Sequence, residues 1–129
     1  MNGPSFPSGP WIGFYVYSRA RQQRHRMDLG LTFAAGRITG AGSDDLGKFI
    51  ISGRFNAQNG HCHWAKRYLG SHDVYYKGFR EGRGIWGTWE ITFTHGGFHI
   101  WPLASGADDG AVATETVEQP VEAVGVVIA

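Results

Sequence analysis

Apolar and polar residues alternate in short segments between Trp11 and Trp101, and a turn signal follows each segment. A period of two is typical of β-strands whose two faces meet different surroundings. In the second segment Met27, Leu29 and Leu31 share one face, with Asp28 and Gly30 on the other. The pattern predicts eight strands, at about residues 11–18, 26–34, 37–41, 48–55, 61–69, 72–79, 85–93 and 98–101.

The connections between these segments are short and rich in Gly, Asn, Asp and Ser, and residues 42–47 are predicted as such a loop. Parallel strands need a crossover of a dozen residues or more, so short connections predict antiparallel neighbours. We therefore expect an all-β fold, an antiparallel up-and-down eight-stranded β-barrel with little or no helix, since closure removes exposed sheet edges. An eight-stranded interior is either filled by side chains or holds one small ligand.

Composition supports one β domain within the 129 residues, because 20 Gly, 8 Phe, 5 Trp and 5 Tyr suit strands and tight turns. We expect residues 1–10 to form a flexible leader and residues 11–103 the barrel. Residues 104–129 are predicted to be an acidic low-complexity tail that ends in an apolar, strand-like tip at 121–129. This tip could pair with a neighbouring chain, cover the barrel or stay disordered.

The charge is unevenly placed along the chain. Residues 1–103 carry twelve basic and six acidic side chains, a net charge of +6, whereas residues 104–129 carry five acidic and no basic ones. This asymmetry indicates either an anionic partner or a tail that folds back on the barrel. The densest basic run, residues 19–26, could bind single-stranded nucleic acid or the tail, or simply aid solubility. Without a nucleic-acid motif, such a partner is not expected.

Few features of the sequence bear on the cellular compartment or on membrane contact. Cys62 is the single cysteine, so no intrachain disulfide can form. The first ten residues lack the apolar core of a signal peptide, and the sequence holds no apolar stretch long enough to span a membrane. A cytoplasmic location without membrane contact is the expectation.

The segment Gly9-Pro10-Trp11-Ile12-Gly13 resembles the opening of calycin-type barrels, the lipocalins and avidins, in which a Gly-x-Trp places a Trp at one barrel end. The eight-strand meander is similar to theirs too. The resemblance implies a barrel that holds ligands in its mouth. The biotin-site pattern of avidins, the late basic residue of lipocalins and the haem-histidine context of nitrobindins have no match, so no ligand or cofactor is implied.

The predicted inner face carries polar groups that are costly to bury without partners. Lys66 and Tyr68 lie there with Cys62 and Trp64, and Lys66 either pairs with an acid such as Asp44 in an internal network or awaits a polar ligand. The candidate ligand-binding residues are Trp11, Tyr15, Trp64, Lys66, Tyr68, His72, Tyr76 and Trp89.

The sequence supports a metal site or a catalytic site less than it supports a ligand-binding site. His61 and His63 share a strand face, but Cys62 points the other way and no carboxylate has suitable spacing, so no metal site is predicted. Cys62 with His63 or His72 is conceivable as a nucleophile and base, yet Gly-x-Ser-x-Gly is absent and no catalytic residue is assigned. An enzyme would need a perturbed titrating group in an open cleft.

The sequence thus favours a binding role over catalysis. The first hypothesis is a barrel that binds a small, anionic or aromatic molecule in its mouth, with Lys66 neutralising the charge. The alternative is a protein-interaction module with a filled barrel that binds through its outer face or C-terminal tail. Trp86 and Trp101 are predicted on the outer wall, where exposed indoles would indicate a homo-oligomer contact.

Overall fold

The computed structural model describes residues 6–103, which form the closed, eight-stranded antiparallel barrel that the sequence predicts. Each strand pairs with its neighbours along the chain, and the last strand pairs with the first. No residue of this range is helical, and no helix here is long and apolar enough to cross a membrane. The strands are β1 (Gly9–Tyr17), β2 (Ala20–Ala34), β3 (Arg37–Asp44), β4 (Gly47–Phe55), β5 (His61–Tyr68), β6 (Asp73–Glu81), β7 (Gly84–Glu90) and β8 (His95–Pro102).

Several predicted strand bounds are wrong. The loop expected at residues 42–47 is a strand up to Asp44, which pairs with both Met27 and Gly47. Gly42 is the reason: a side chain there would lie 2.9 Å from the Phe49 ring, so this glycine makes room for a large neighbour and does not mark a turn. Likewise β2 starts six residues earlier than predicted, at Ala20, while β7 stops at Glu90 and β8 starts at His95.

The β2–β3 connection fixes the register of this hairpin. Ala34 pairs with Arg37 across a two-residue turn in which Ala35 and Gly36 have φ of 53° and 77°. Positive φ at both central residues is the requirement of the type I′ turn, whose twist matches that of the flanking strands.

Alternate side chains fill the barrel interior. Trp64 stacks on Tyr76 with 5.4 Å between ring centroids, and Phe98 packs edge-on against both rings. Trp89 lies against Gly96, where an added Cβ would meet the Val16 carbonyl oxygen at 1.8 Å. The interior is therefore packed with rings, and glycines on adjacent strands provide the space for them.

One barrel end is closed by residues that precede β1. Phe6 packs on Phe33 and Phe55 with centroid separations of 5.2 and 4.7 Å. The Trp11 indole donates to the Pro7 carbonyl at 2.9 Å. Of the predicted flexible leader, residues 6–10 thus contact the barrel or belong to it, and residues 1–5 lie outside the described part of the chain. The predicted tail, residues 104–129, lies outside it too.

A second apolar cluster lies on the outside of β1 and β8. Phe14, Val16 and Trp101 form it, with Ile12 and Trp86 packed against them. Trp86 and Trp101 alternate with the inward residues, as predicted, and only 3% of Trp101 is exposed.

Candidate functional site

The structure separates the eight predicted site residues. Six of them line a small space at the barrel end opposite Phe6: Tyr15, Lys66, Tyr68, His72, Tyr76 and Trp89. Trp11 is buried at the Phe6 end. Trp64 belongs to the ring stack in the middle of the interior. The eight therefore do not form one pocket wall.

His72 lies one residue before the strand on which it is predicted. It lies in the connection before β6, with an exposed side chain, because Gly70 and Ser71 turn the chain and the strand starts only at Asp73. Its ring still lies at the rim, 5.5 Å from the Tyr68 ring centroid, and its Nδ1 is 2.9 Å from Ser71 Oγ.

A buried ion pair is the centre of this end. Lys66 Nζ lies 2.7 Å from Asp44 Oδ2, and the two side chains are 2% and 0% exposed. Tyr68 donates its hydroxyl to the same oxygen at 2.6 Å. The other carboxylate oxygen of Asp44 accepts the Leu46 backbone N–H at 2.8 Å. The pair therefore ties β5 to the β3–β4 turn, as the internal-network alternative predicts.

Asp45 extends this network to the neighbouring strands. It accepts a hydrogen bond from the Tyr15 hydroxyl at 2.7 Å, and its second oxygen lies 2.6 Å from His25 Nδ1. His25 also stacks on Tyr15 with 4.7 Å between centroids. Sequence reasoning does not find this triad, because Asp45 falls in the loop predicted at residues 42–47 and the strand predicted at residues 26–34 begins after His25.

Aromatic rings enclose the Lys66 ammonium. Its nitrogen lies 4.7 to 5.1 Å from four ring centroids, those of Tyr15, Phe49, Tyr68 and Tyr76. Ring faces are negative, so a buried ammonium gains from each of them. The cage and the Asp44 carboxylate together satisfy the charge of this buried ammonium.

The electrostatics follow from burial. Burial lowers the pKa of Lys66, against the opposing effect of Asp44, and it raises the pKa of Tyr15, Tyr68 and Tyr76. Burial also pushes the pKa of Asp45 upward, but the hydrogen bonds from His25 and Tyr15 outweigh this and hold it below its usual value.

The space left among these side chains is small. The cavity measures about 30 Å³, which is the volume that one water occupies in the liquid. A drug-sized ligand needs roughly 300 Å³ or more. A perturbed lysine enclosed in this way is not the open cleft that catalysis would need.

The nucleophile and base considered for catalysis do not meet. Cys62 is buried at the Phe6 end, its Sγ 3.6 Å from the Gly78 carbonyl oxygen, and burial raises its pKa to about 12. His63, the next residue, is exposed on the outer wall, and His72 lies at the other barrel end. Within residues 6–103, no group of three or more His, Cys, Asp or Glu side chains is placed to hold a metal ion.

A row of basic side chains crosses the outer wall of β3 to β6. Arg37 pairs with Arg54, Arg54 with His63, and His63 with Lys77, each directly opposite on the adjacent strand. We call these four exposed residues the basic row. None of them forms an ion pair with another residue in the range 6–103. Like charges placed directly opposite one another destabilise a sheet, so a structural role does not explain the row.

Two surface grooves flank the basic row. One, of about 590 Å³, runs past Phe55, His61 and Phe79. The other, of about 540 Å³, runs past Ser52, Ala65 and Tyr75. Arg54, His63 and Lys77 line both, so the row is a ridge between them. The sequence places all four residues on outward positions of their strands. That they lie next to one another becomes clear only when the register of three hairpins is known.

Comparison with known proteins adds no family to this description. No model of a protein family matches the chain. No curated protein matches it. No solved structure matches it.

Proposed function

We propose that this protein is an interaction module with a filled barrel, and that the outer wall of β3 to β6 binds an extended acidic segment of another protein. The observation that carries the proposal is the basic row, three arginine or lysine side chains and one histidine at adjacent positions, none with a carboxylate partner in the described part of the chain. A carboxylate-bearing partner would relieve the repulsion between neighbours along the row.

Spacing favours an extended segment. Adjacent strands lie about 4.8 Å apart, so the row spans roughly 14 Å from Arg37 to Lys77. Alternate side chains of an extended chain lie about 6.8 Å apart, and three acidic residues at i, i+2 and i+4 cover nearly the same length. An acidic strand lying along the ridge would therefore place one carboxylate near each pair of cations.

The surroundings of the row favour a protein over a nucleic acid. Tyr75 and Phe79 lie on either side of Lys77 on β6, with 56% and 42% of their surface exposed, and Ile50 on β4 is 45% exposed. Exposed aromatic residues beside arginines are typical of protein interfaces.

The small-molecule hypothesis has weaker support, since the space beside Lys66 is that of a single water. A ligand of drug size would have to displace the Asp44 and Tyr68 contacts of Lys66 to enter. It remains a prediction, since the space found beside Lys66 is about 30 Å³.

The test is an NMR titration of the full chain with an eight-residue peptide that alternates Glu and Ser, using a Gln/Ser peptide as the uncharged control. We expect the backbone signals of Arg54, His63 and Lys77 to shift with the Glu peptide alone. The double variant Arg54→Glu/Lys77→Glu should bind at least about tenfold more weakly, because two exposed charge pairs contribute up to about 1 kcal/mol each.

The matched control is Arg19→Glu/Arg26→Glu, which makes the same charge change in the first hairpin. Equal weakening in both variants would mean that only net charge matters and would overturn the proposal. Tighter binding of an eight-nucleotide thymidine strand than of the peptide would also overturn it, in favour of a nucleic-acid partner. The double variant should fold, since its new carboxylates lie beside Arg37 and His63 and replace repulsion by attraction.

We also propose a calycin-type origin and a cytoplasmic location. The first is supported by Trp11, which is buried at a barrel end as the resemblance implies, and the second by the single, buried thiol of Cys62. An experimental structure with Trp11 outside the barrel end would contradict the first, and recovery of the native protein from a secreted fraction would contradict the second.

A further inference from the structure

The outer face of β1 and β8 is buried although its side chains point away from the barrel. Phe14, Val16, His99 and Trp101 are 4, 1, 6 and 3% exposed. Phe14 pairs with His99, and both alternate with residues of the interior such as Phe98 and Ile100. We call these four residues the β1–β8 face. Outward side chains on a barrel wall are covered only when a further layer of chain or a partner lies on them.

Polar atoms in this face lack partners as well. His99 Nδ1 and Trp101 Nε1 are buried, and neither has a hydrogen-bond partner among residues 6–103. Burial lowers the pKa of His99 to about 3, so its ring is neutral at physiological pH. A buried indole N–H without an acceptor is destabilising, and a backbone carbonyl lying over it would offset that loss. The face thus offers ring surface together with hydrogen-bonding groups.

We propose that the chain's own C-terminal segment, residues 104–129, docks on the β1–β8 face, with the apolar residues 121–129 over Phe14, Val16 and Trp101. The chain leaves the barrel at this face: β8 ends at Pro102, and the Leu103 N–H donates to the Pro10 carbonyl on β1 at 2.9 Å. The segment is therefore tethered beside Trp101, which gives it a high effective concentration at the face.

Length and composition fit this occupant. The face runs from Trp101 to the position where Val16 pairs with Gly97, which is roughly 13 Å along the strand. Residues 104–120 as a flexible linker reach about 23 Å on average. The last nine residues include Val121, Val124, Val126, Val127 and Ile128.

The distribution of charge also favours the C-terminal segment as the occupant of this face. The segment carries five carboxylates and no basic residue, and the hairpin beside the face carries Arg19, Arg21, Arg24 and Arg26. The Arg24 guanidinium lies 4.6 Å from the Phe14 ring centroid, which places positive charge at the edge of the face. A second copy of the chain has the same net positive body, so the tethered acidic segment is the better match.

The experiment uses a spin label on the full chain. Gly125→Cys is labelled in the folded protein, where the buried Cys62 thiol is protected. The indole N–H signals of Trp101 and Trp86 should be broadened more strongly than that of Trp64, which lies in the barrel interior. A label at Ser52→Cys, on β4 at the opposite side of the barrel, is the control and should leave Trp101 unchanged.

A mixture of isotope-labelled chains without the spin label and unlabelled chains carrying it distinguishes the occupants. Broadening of Trp101 in this mixture would mean that a second copy covers the face and would overturn the proposal. Unchanged Trp101 and Trp86 signals in the singly labelled chain would overturn it as well. As an independent readout, Val124→Asp/Val126→Asp should speed hydrogen exchange at Phe14 and Val16, whereas Ala111→Asp/Ala113→Asp should not.

Discussion

Lys66 and Asp44, 22 residues apart in the chain, form an ion pair of 2.7 Å inside the barrel, and neither side chain has more than 2% of its surface exposed. Each is a charge that the interior tolerates only because of the other. The pair links the middle of the sheet to the turn that closes the β3–β4 hairpin. The contribution of this ion pair to the stability of the folded protein can be measured without knowing any ligand.

Replacement of Lys66 by Met should destabilise the fold by about 3 kcal/mol, because the Asp44 carboxylate would stay buried without its counter-ion. The double variant Lys66→Met/Asp44→Asn should recover most of this loss, since the amide oxygen can still accept the Leu46 N–H. Urea denaturation of the two variants measures the difference. A more stable single variant would show that the pair is not formed in solution.

Alkaline pH should unfold this protein steeply. Burial raises the pKa of Tyr15, Tyr68 and Tyr76 in the folded state, so above pH of about 10 the unfolded state releases protons that the folded state keeps. Stability contributed by these groups is therefore present below pH of about 10 and is lost as the pH rises, by up to about 4 kcal/mol per pH unit for three protons.

Denaturant titrations at several pH values above 10 give this slope, and tyrosinate absorbance gives the ionisation. Tyr15→Phe should reduce the slope by about one third. Ionisation of all five tyrosines of the folded protein near pH of about 10 would contradict the burial of the Tyr15, Tyr68 and Tyr76 hydroxyls.

Gly96→Ala should cost about 3 kcal/mol or more, because the new methyl group would overlap the Val16 carbonyl and press on the Trp89 indole. The indole N–H would then lose its 3.0 Å hydrogen bond to that carbonyl. Gly30→Ala is the matched control: its nearest neighbouring atom is 4.0 Å away, so its stability should change by less than about 1 kcal/mol. Thermal melts of both variants compare them, and equal losses would contradict the close packing at Gly96.

The Cys62 thiol should react only when the barrel opens. It is 3% exposed, and burial raises its pKa to about 12, so both access and ionisation limit its reaction. Labelling with an aromatic disulfide at pH 8 should follow the rate of unfolding. An exposed thiol introduced at Ser52 should react within the mixing time, and equally fast labelling of the native Cys62 would show that the Phe6 end is open.

The sequence by itself determined the fold class, since an apolar residue at every second position, interrupted by short turns, can bury its apolar face only in an antiparallel sheet. It also determined that Lys66 and Tyr68 lie inside, because strand parity is local. It could not assign Gly42, which looks like a turn residue and acts as space for the Phe49 ring.

The tertiary structure determined which side chains contact one another. Tyr15 and His25 reach Asp45 only because β1, β2 and the β3–β4 turn converge at one barrel end, whereas Trp11, on the same face of β1 as Tyr15, closes the other end. The basic row likewise depends on the register of three hairpins, which adds up across the sheet, so that one slipped pair would disperse it. Local pattern sets the direction of each side chain, and closure of the barrel sets its partners.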